Sequence, residues 1–147
     1  KIDANPEWLV ASPAYLERAG RPQSPSDLVD HACLPLGSNR NWQLTGPDGK
    51  QHEVLATGPV RVNHGEAMSV LVRAGVGIGK VALWHAGPDI QAGRLIHVLP
   101  DYRISREANI WAVRAPGHVM PARVRVFLDF MQQRIIETNK QRYGGLV

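Results

Sequence analysis

The stretch Val62–Val81, VNHGEAMSVLVRAGVGIGKV, constrains the fold more than any other part of the chain. Asn63 suits a helix cap, because its side-chain oxygen can accept from an N–H that has no intrahelical partner. Glu66, three residues on, can reach back to the cap's own N–H, as in a capping box. Ala67, Val70, Leu71 and Ala74 recur at i, i+3, i+4 and i+7, which predicts one apolar helix face. Gly75 falls just past the end, where a left-handed residue closes a helix and glycine meets no Cβ clash. Val60–Val62 before the helix and Val76–Val81 after it read as strands. The unit is strand, helix, strand, and its helix head, Asn63-His64-Gly65, is the foremost candidate binding position.

The flanking chain alternates in the same way. Glu7–Ala11 predicts a strand. Ser12 as N-cap and Pro13 at N1 open a helix with Tyr15 and Leu16 inward and Gly20 past its end. Ser24-Pro25-Ser26-Asp27 starts a short helix, and Ala32–Leu36 reads as a strand. Trp42–Leu44 and Glu53–Leu55 flank Gly46-Pro47-Asp48-Gly49, which is hairpin chemistry. Ala82–Ala92 predicts a helix stopped by Gly93; Leu95–Leu99 and Ala108–Val113 predict strands. Pro121–Ile136 predicts a long helix striped by Val124, Phe127, Leu128, Met131 and Ile135 and widened by Val126 and Phe130. Residues 1–137 form the expected domain, and 138–147 a frayed tail. The class is α/β.

Charge and chemistry narrow the function. A net charge of +4 tolerates an anionic partner, but the arginines are scattered and form no phosphate-tracking run. The single cysteine, Cys33, excludes an internal disulfide and sits in an apolar stretch that suits a buried thiol in a reducing compartment. No apolar run approaches the roughly 20 residues of a membrane-spanning helix. The opening KIDANPEW has no apolar signal core, so no export is expected. Lys1 in place of a starting Met leads us to expect a piece of something longer. Ala74–Val81 looks superficially like a phosphate loop, yet Val81 follows Gly-Lys where Ser or Thr is needed, and the glycines follow a helix instead of opening one. Tight turns and close packing explain them better.

The histidines (His31, His52, His64, His85, His97 and His118) form no HExxH and no compact Cys/His set, so no metal and no cofactor is expected. No Gly-x-Ser-x-Gly elbow is present and the carboxylates are not paired, so no enzyme is expected. Ser12 is a candidate ligand contact, although a helix cap accounts for it. What remains is a binding module. Free N–H groups and partial positive charge at the Asn63–Gly65 helix head suit a carboxylate or similar small anion.

The ordered motifs resemble the effector-binding domain of LysR-type transcriptional regulators. They are Val10-Ala11-Ser12-Pro13-Ala14-Tyr15-Leu16, Gly20-Arg21-Pro22, Pro25-Ser26-Asp27-Leu28 with His31, and Trp42-Gln43-Leu44. Next come Val62-Asn63 with Glu66-Ala67, Ala74-Gly75-Val76-Gly77-Ile78, Gly93-Arg94-Leu95 and Val98-Leu99-Pro100-Asp101. Pro121–Phe130 closes the series. The chain departs from the family at Ala82, where proline is common, and at Arg114-Ala115, where Tyr-Pro is common. On this resemblance, the winged helix-turn-helix, the linker helix and most of the first subdomain are expected to lie outside this sequence. The resemblance implies a periplasmic-binding-protein-like fold, mainly the second subdomain, with the returning strand and C-terminal helix of the first.

It further implies a cytoplasmic sensor of a small organic anion. The sensor acts as a dimer, or as a tetramer in the full-length protein. DNA is bound only through an N-terminal domain outside this sequence, with no membrane partner. Positions matching the family's cleft wall are Asn63, His64, Gly65, Gly77, Ile78 and Gly79, with Ser12 at the entering crossover and Val113 at the returning one. A lobe of a periplasmic solute-binding protein is the alternative, since it shares the two-lobed plan.

Overall fold

In the computed structural model, residues 1–106, 108–114, 117 and 120–147 are described. Ala115 and His118 lie outside the described residues. The strands are β1 (Asp3–Ala4), β2 (Glu7–Ala11), β3 (Cys33–Leu34), β4 (Asn41–Thr45), β5 (Gln51–Leu55), β6 (Ile78–Ala82), β7 (Ile96–His97), β8 (Arg103–Ile104) and β9 (Asn109–Ile110). The helices are α1 (Pro13–Ala19), α2 (Gly65–Arg73), α3 (Leu83–Gln91) and α4 (Ala122–Tyr143), with a 3-10 turn over Pro25–Asp30.

A central sheet runs β3-β6-β2-β7, with β3 and β6 parallel and the other pairs antiparallel. Both faces are buried, and the period of two decides which side chain goes where. Leu9, Ala11, Cys33 and Ile78 join one core with Tyr15, Leu16, Leu28, Trp42 and Leu44. Val10, Leu34 and Val81 join another with Met68, Val72, Ala86 and Leu95. The sheet therefore lies between a layer of α1, the 3-10 turn and the β5-β4-β8 sheet, and a layer of α2 and α3.

The α1 prediction matches in detail: Ser12 accepts from the Tyr15 N–H, Pro13 stands in the first turn, and Gly20 takes φ 85°. Gly75 (φ 76°) and Gly93 (φ 70°) also take the left-handed conformation expected of helix ends. The hairpin forms with Asn41 opposite Leu55 and Thr45 opposite Gln51.

Other elements are corrected. The α2 cap is His64, not Asn63: the His64 Nδ1 accepts from the Glu66 N–H at 3.3 Å. Its buried residues are Met68, Ser69 and Val72, whereas Val70 is exposed, so the apolar face is rotated from the predicted one. The predicted strand Val60–Val62 reduces to a bridge between Val62 and Leu36. The last two predicted strands shorten to β7 and β9. Leu99, at φ 53°, turns the chain before Pro100 and limits β7. Helix α4 runs past Ile136 to Tyr143, taking in the start of the predicted tail.

That extension is held by specific contacts. A Cβ on Gly87 would stand 2.6 Å from the Arg142 carbonyl, so α3 and the end of α4 cross at a glycine. Pro88 has no N–H to give the Trp84 carbonyl one turn back. Arg142 donates to that carbonyl instead, at 2.9 Å. Asn139 bonds Asp3 at 2.7 Å and Gln132 bonds the Ile2 carbonyl at 3.1 Å, which fastens α4 to β1. β1 in turn pairs with β9. Along α4, Leu128, Met131 and Ile135 are half-buried, while Val124, Val126, Phe127 and Phe130 are exposed.

Candidate functional site

β6 runs antiparallel to α2 in the chain's own order, out from Gly75 and back toward the helix head. The end of β6, the start of α2 and the exit of β3 therefore meet at one end of the sheet. A groove of about 590 Å³ opens there, within the range of small-molecule sites. Its lining comes from seven regions, beginning with Asn5 and Glu7 at the start of β2, Leu36 after β3, Gly65 at the head of α2, and Lys80–Ala82 closing β6. Trp84 and His85 follow from α3, with Ile110 of β9 and Met131 and Ile135 of α4.

The polar groups are few and placed. Lys80 donates to Glu7 at 2.6 Å across neighbouring strands, with side-chain exposures of 21% and 14%. Both charges are thus largely withdrawn from water, and each is the other's compensation. The His85 imidazole lies against the α2 head, where a Cβ on Gly65 would stand 3.2 Å from its Nε2. Glycine is what lets the ring approach. Burial is the main cause that lowers the His85 pKa below the usual histidine value; His64 and Arg142 add to it, and Glu66 opposes it. Burial thus favours the neutral form of the His85 ring. Among the described residues, no three His, Cys, Asp or Glu side chains converge as metal ligands.

The predicted contact residues separate in space. Gly65 lines the groove, and His64 caps the same helix from an exposed position. Asn63 lines a separate, open depression with Gly37, Ser38, Arg61, Val62 and Ala67. Gly77 packs where a Cβ would collide with the Ala32 carbonyl oxygen, and Gly79 packs under Val72 and Met68. Ile78 is a fully buried core side chain. Ser12 is buried as the α1 cap, close to Gly75 at the opposite end of α2. Val113 is 92% exposed beyond β9.

Sequence reasoning passed over Glu7, Lys80, Trp84 and His85. The available signal was charge: Lys80 interrupts an apolar strand and Glu7 opens another, and a charge in a buried strand needs a partner.

A sheet with α2 and α3 on one face, α1 and a second small sheet on the other, and a groove beside the short β1–β9 pair has the plan of a lobe of the periplasmic-binding-protein type. Residues 1–135 match the LysR substrate binding domain, and the chain belongs to that family. The HTH-type transcriptional regulator DmlR of Escherichia coli K12 is 33% identical over 141 residues, which are 93% of this chain and 45% of that protein. The full-length structure of the Vibrio cholerae virulence activator AphB superposes with a TM-score of 0.76 at 25% identity, covering 91% of this chain and 46% of that one. CrgA of Neisseria meningitidis superposes with a TM-score of 0.68 at 27% identity, covering 90% and 45%. The chain thus spans less than half the length of these relatives.

Proposed function

We propose that this chain is the effector-sensing part of a LysR-type, DNA-binding transcriptional regulator. It takes a small organic anion in the groove at the head of α2. The observation that carries this reading is the position of the groove. It joins the helix head to Asn5, Glu7 and Ile110, at or beside the two strands where the chain enters and leaves this lobe. A ligand there touches both the lobe and its hinge, so its binding energy can bias their relative arrangement. Asn63 and His64 beside Gly65 remain part of the proposed contact surface; Gly77, Ile78, Gly79 and Ser12 act through packing.

The regulator works in the cytoplasm without catalysis. DNA contact belongs to a region outside this sequence, and the signal passes through the geometry of a homo-oligomer. The solute-binding alternative shares the fold, but the names of the relatives favour the regulator.

The test is calorimetric titration with a panel of small carboxylates, repeated on Gly65→Val. A bound carboxylate should lose about tenfold or more in affinity, roughly 1.4 kcal/mol, when the valine fills the space beside His85. Equal affinity in the variant would remove the groove from the proposal. The same carboxylate should then alter the DNA footprint of the whole regulator.

A further inference from the structure

The charges around the groove cancel. Lys80 is closed on Glu7 at 2.6 Å. Glu66 and Arg142 stand close enough to His85 to act on it with opposite sign, and Arg142 is also bonded to the Trp84 carbonyl. Among the described residues that line the groove, Lys80 is the one cationic side chain, and Glu7 holds it. What the groove offers an anion is fractional: the Gly65 N–H and the dipole of the α2 head, His85 as a largely neutral ring, and the Asn5 amide. Beyond those groups the walls are apolar: Leu36, Val81, Trp84, Ile110, Met131 and Ile135.

We infer that the groove selects singly charged carboxylates with an apolar body and turns away di- and tricarboxylates, with the Glu7–Lys80 pair as the discriminating device. This rests on the effector-binding reading above. One carboxylate matches the partial charge of a helix head, and the hydrocarbon part covers the apolar walls. A second carboxylate finds Lys80 already engaged. Recruiting that lysine would strand Glu7, whose side chain is even more shielded, so the second charge is desolvated without a partner. Specificity here is built by refusing the wrong ligand as much as by holding the right one.

The test uses benzoate, phthalate, benzamide and acetate as probes. They are followed by two-dimensional NMR at the Gly65 amide and the His85 ring in the 147-residue chain. Benzoate should bind at least about tenfold more tightly than phthalate, benzamide or acetate, since each lacks one feature or adds one charge. Glu7→Gln frees Lys80 and should raise phthalate affinity until the preference reverses. Lys80→Met should weaken both anions. The double variant, neutral again at this position, should restore the preference for benzoate, which a merely structural role for the pair would not do. Phthalate binding the unaltered protein as tightly as benzoate, or an unchanged ratio in Glu7→Gln, overturns the selectivity and leaves the effector reading standing. Silence at Gly65 and His85 with every probe overturns both.

Discussion

Trp8 and His97 stack with ring centroids 3.9 Å apart and planes 5° from parallel. Burial of His97 lowers its pKa from 6.5 to about 4. The unfolded chain therefore binds more protons than the folded one between these values. Stability is fully present above pH 6.5 and falls as the pH drops toward 4, with no further loss from this group below that. The ring is partly exposed, so the effect is on the order of 1–2 kcal/mol after allowance for solvent screening. Urea unfolding at pH 7 and pH 4.5 should show that loss, and His97→Gln should flatten it. At Gly77, alanine would drive a methyl into the Ala32 carbonyl, the acceptor for the Ile78 N–H at 2.8 Å. Gly77→Ala should cost about 2–3 kcal/mol by denaturant titration, with little change in the slope. The glycines of Val76–Val81 were correctly read as close-packing positions; what they pack against was invisible, because Ala32 lies far back in the chain.

Helices α2 and α3 are locked by one carboxylate. Asp89 is buried on α3, bonded to Arg94 at 2.6 Å and to Arg73 of α2 at 3.3 Å, while both arginines keep substantial exposure. The asymmetry yields a directional expectation. Removing both arginines strands a buried charge, whereas removing the aspartate leaves cations that water can solvate. Arg73→Met with Arg94→Met should therefore destabilise by about 3–5 kcal/mol, and Asp89→Asn by clearly less. Thermal and denaturant unfolding of the two variants decides it. The α3–α4 crossing depends on Gly87 and on Arg142 serving the carbonyl that Pro88 leaves unbonded. Gly87→Val should push the last turns of α4 off α3 and speed tryptic cleavage after Lys140 and Arg142. Unchanged cleavage would mean the helix end is held elsewhere. Helix starts and stops were legible where a cap or glycine marks them, as at Ser12, Gly75 and Gly93. The α2 cap slipped from Asn63 to His64 because either side chain can accept a helix N–H, and the packing of Met68 and Val72 chose the phase.

Among the described residues, the first half of α4 presents an exposed apolar face, with Val126, Phe127 and Phe130 each more than half exposed and Trp111 and Val113 exposed on the returning segment. Apolar side chains in that number exceed the scattered few that a protein surface normally carries. The chain should bind a polarity-sensitive dye such as ANS in its native state. Phe127→Ser with Phe130→Ser should reduce that signal severalfold while changing the unfolding free energy by no more than about 0.5 kcal/mol, since these side chains bury little here. A midpoint that falls steeply would show the residues to be packed in solution.

Local chemistry was enough for the alternation of strands and helices, the three glycine-marked helix ends, the α1 cap and the hairpin, because each depends on residues a few positions apart. The ordered motifs along the chain were enough for the family. The phase of α2, the length of α4 and the identity of the groove were not, because each depends on contacts between residues far apart in sequence. Glu7 meets Lys80, Gly65 makes room for His85, and Gly87 makes room for Arg142. Two opposite charges and a missing Cβ acquire meaning only when the antiparallel course of α2 and β6 brings them to one end of the sheet. That same course carries Gly77 and Ile78 into the core, although the family resemblance had set them among the cleft-wall positions.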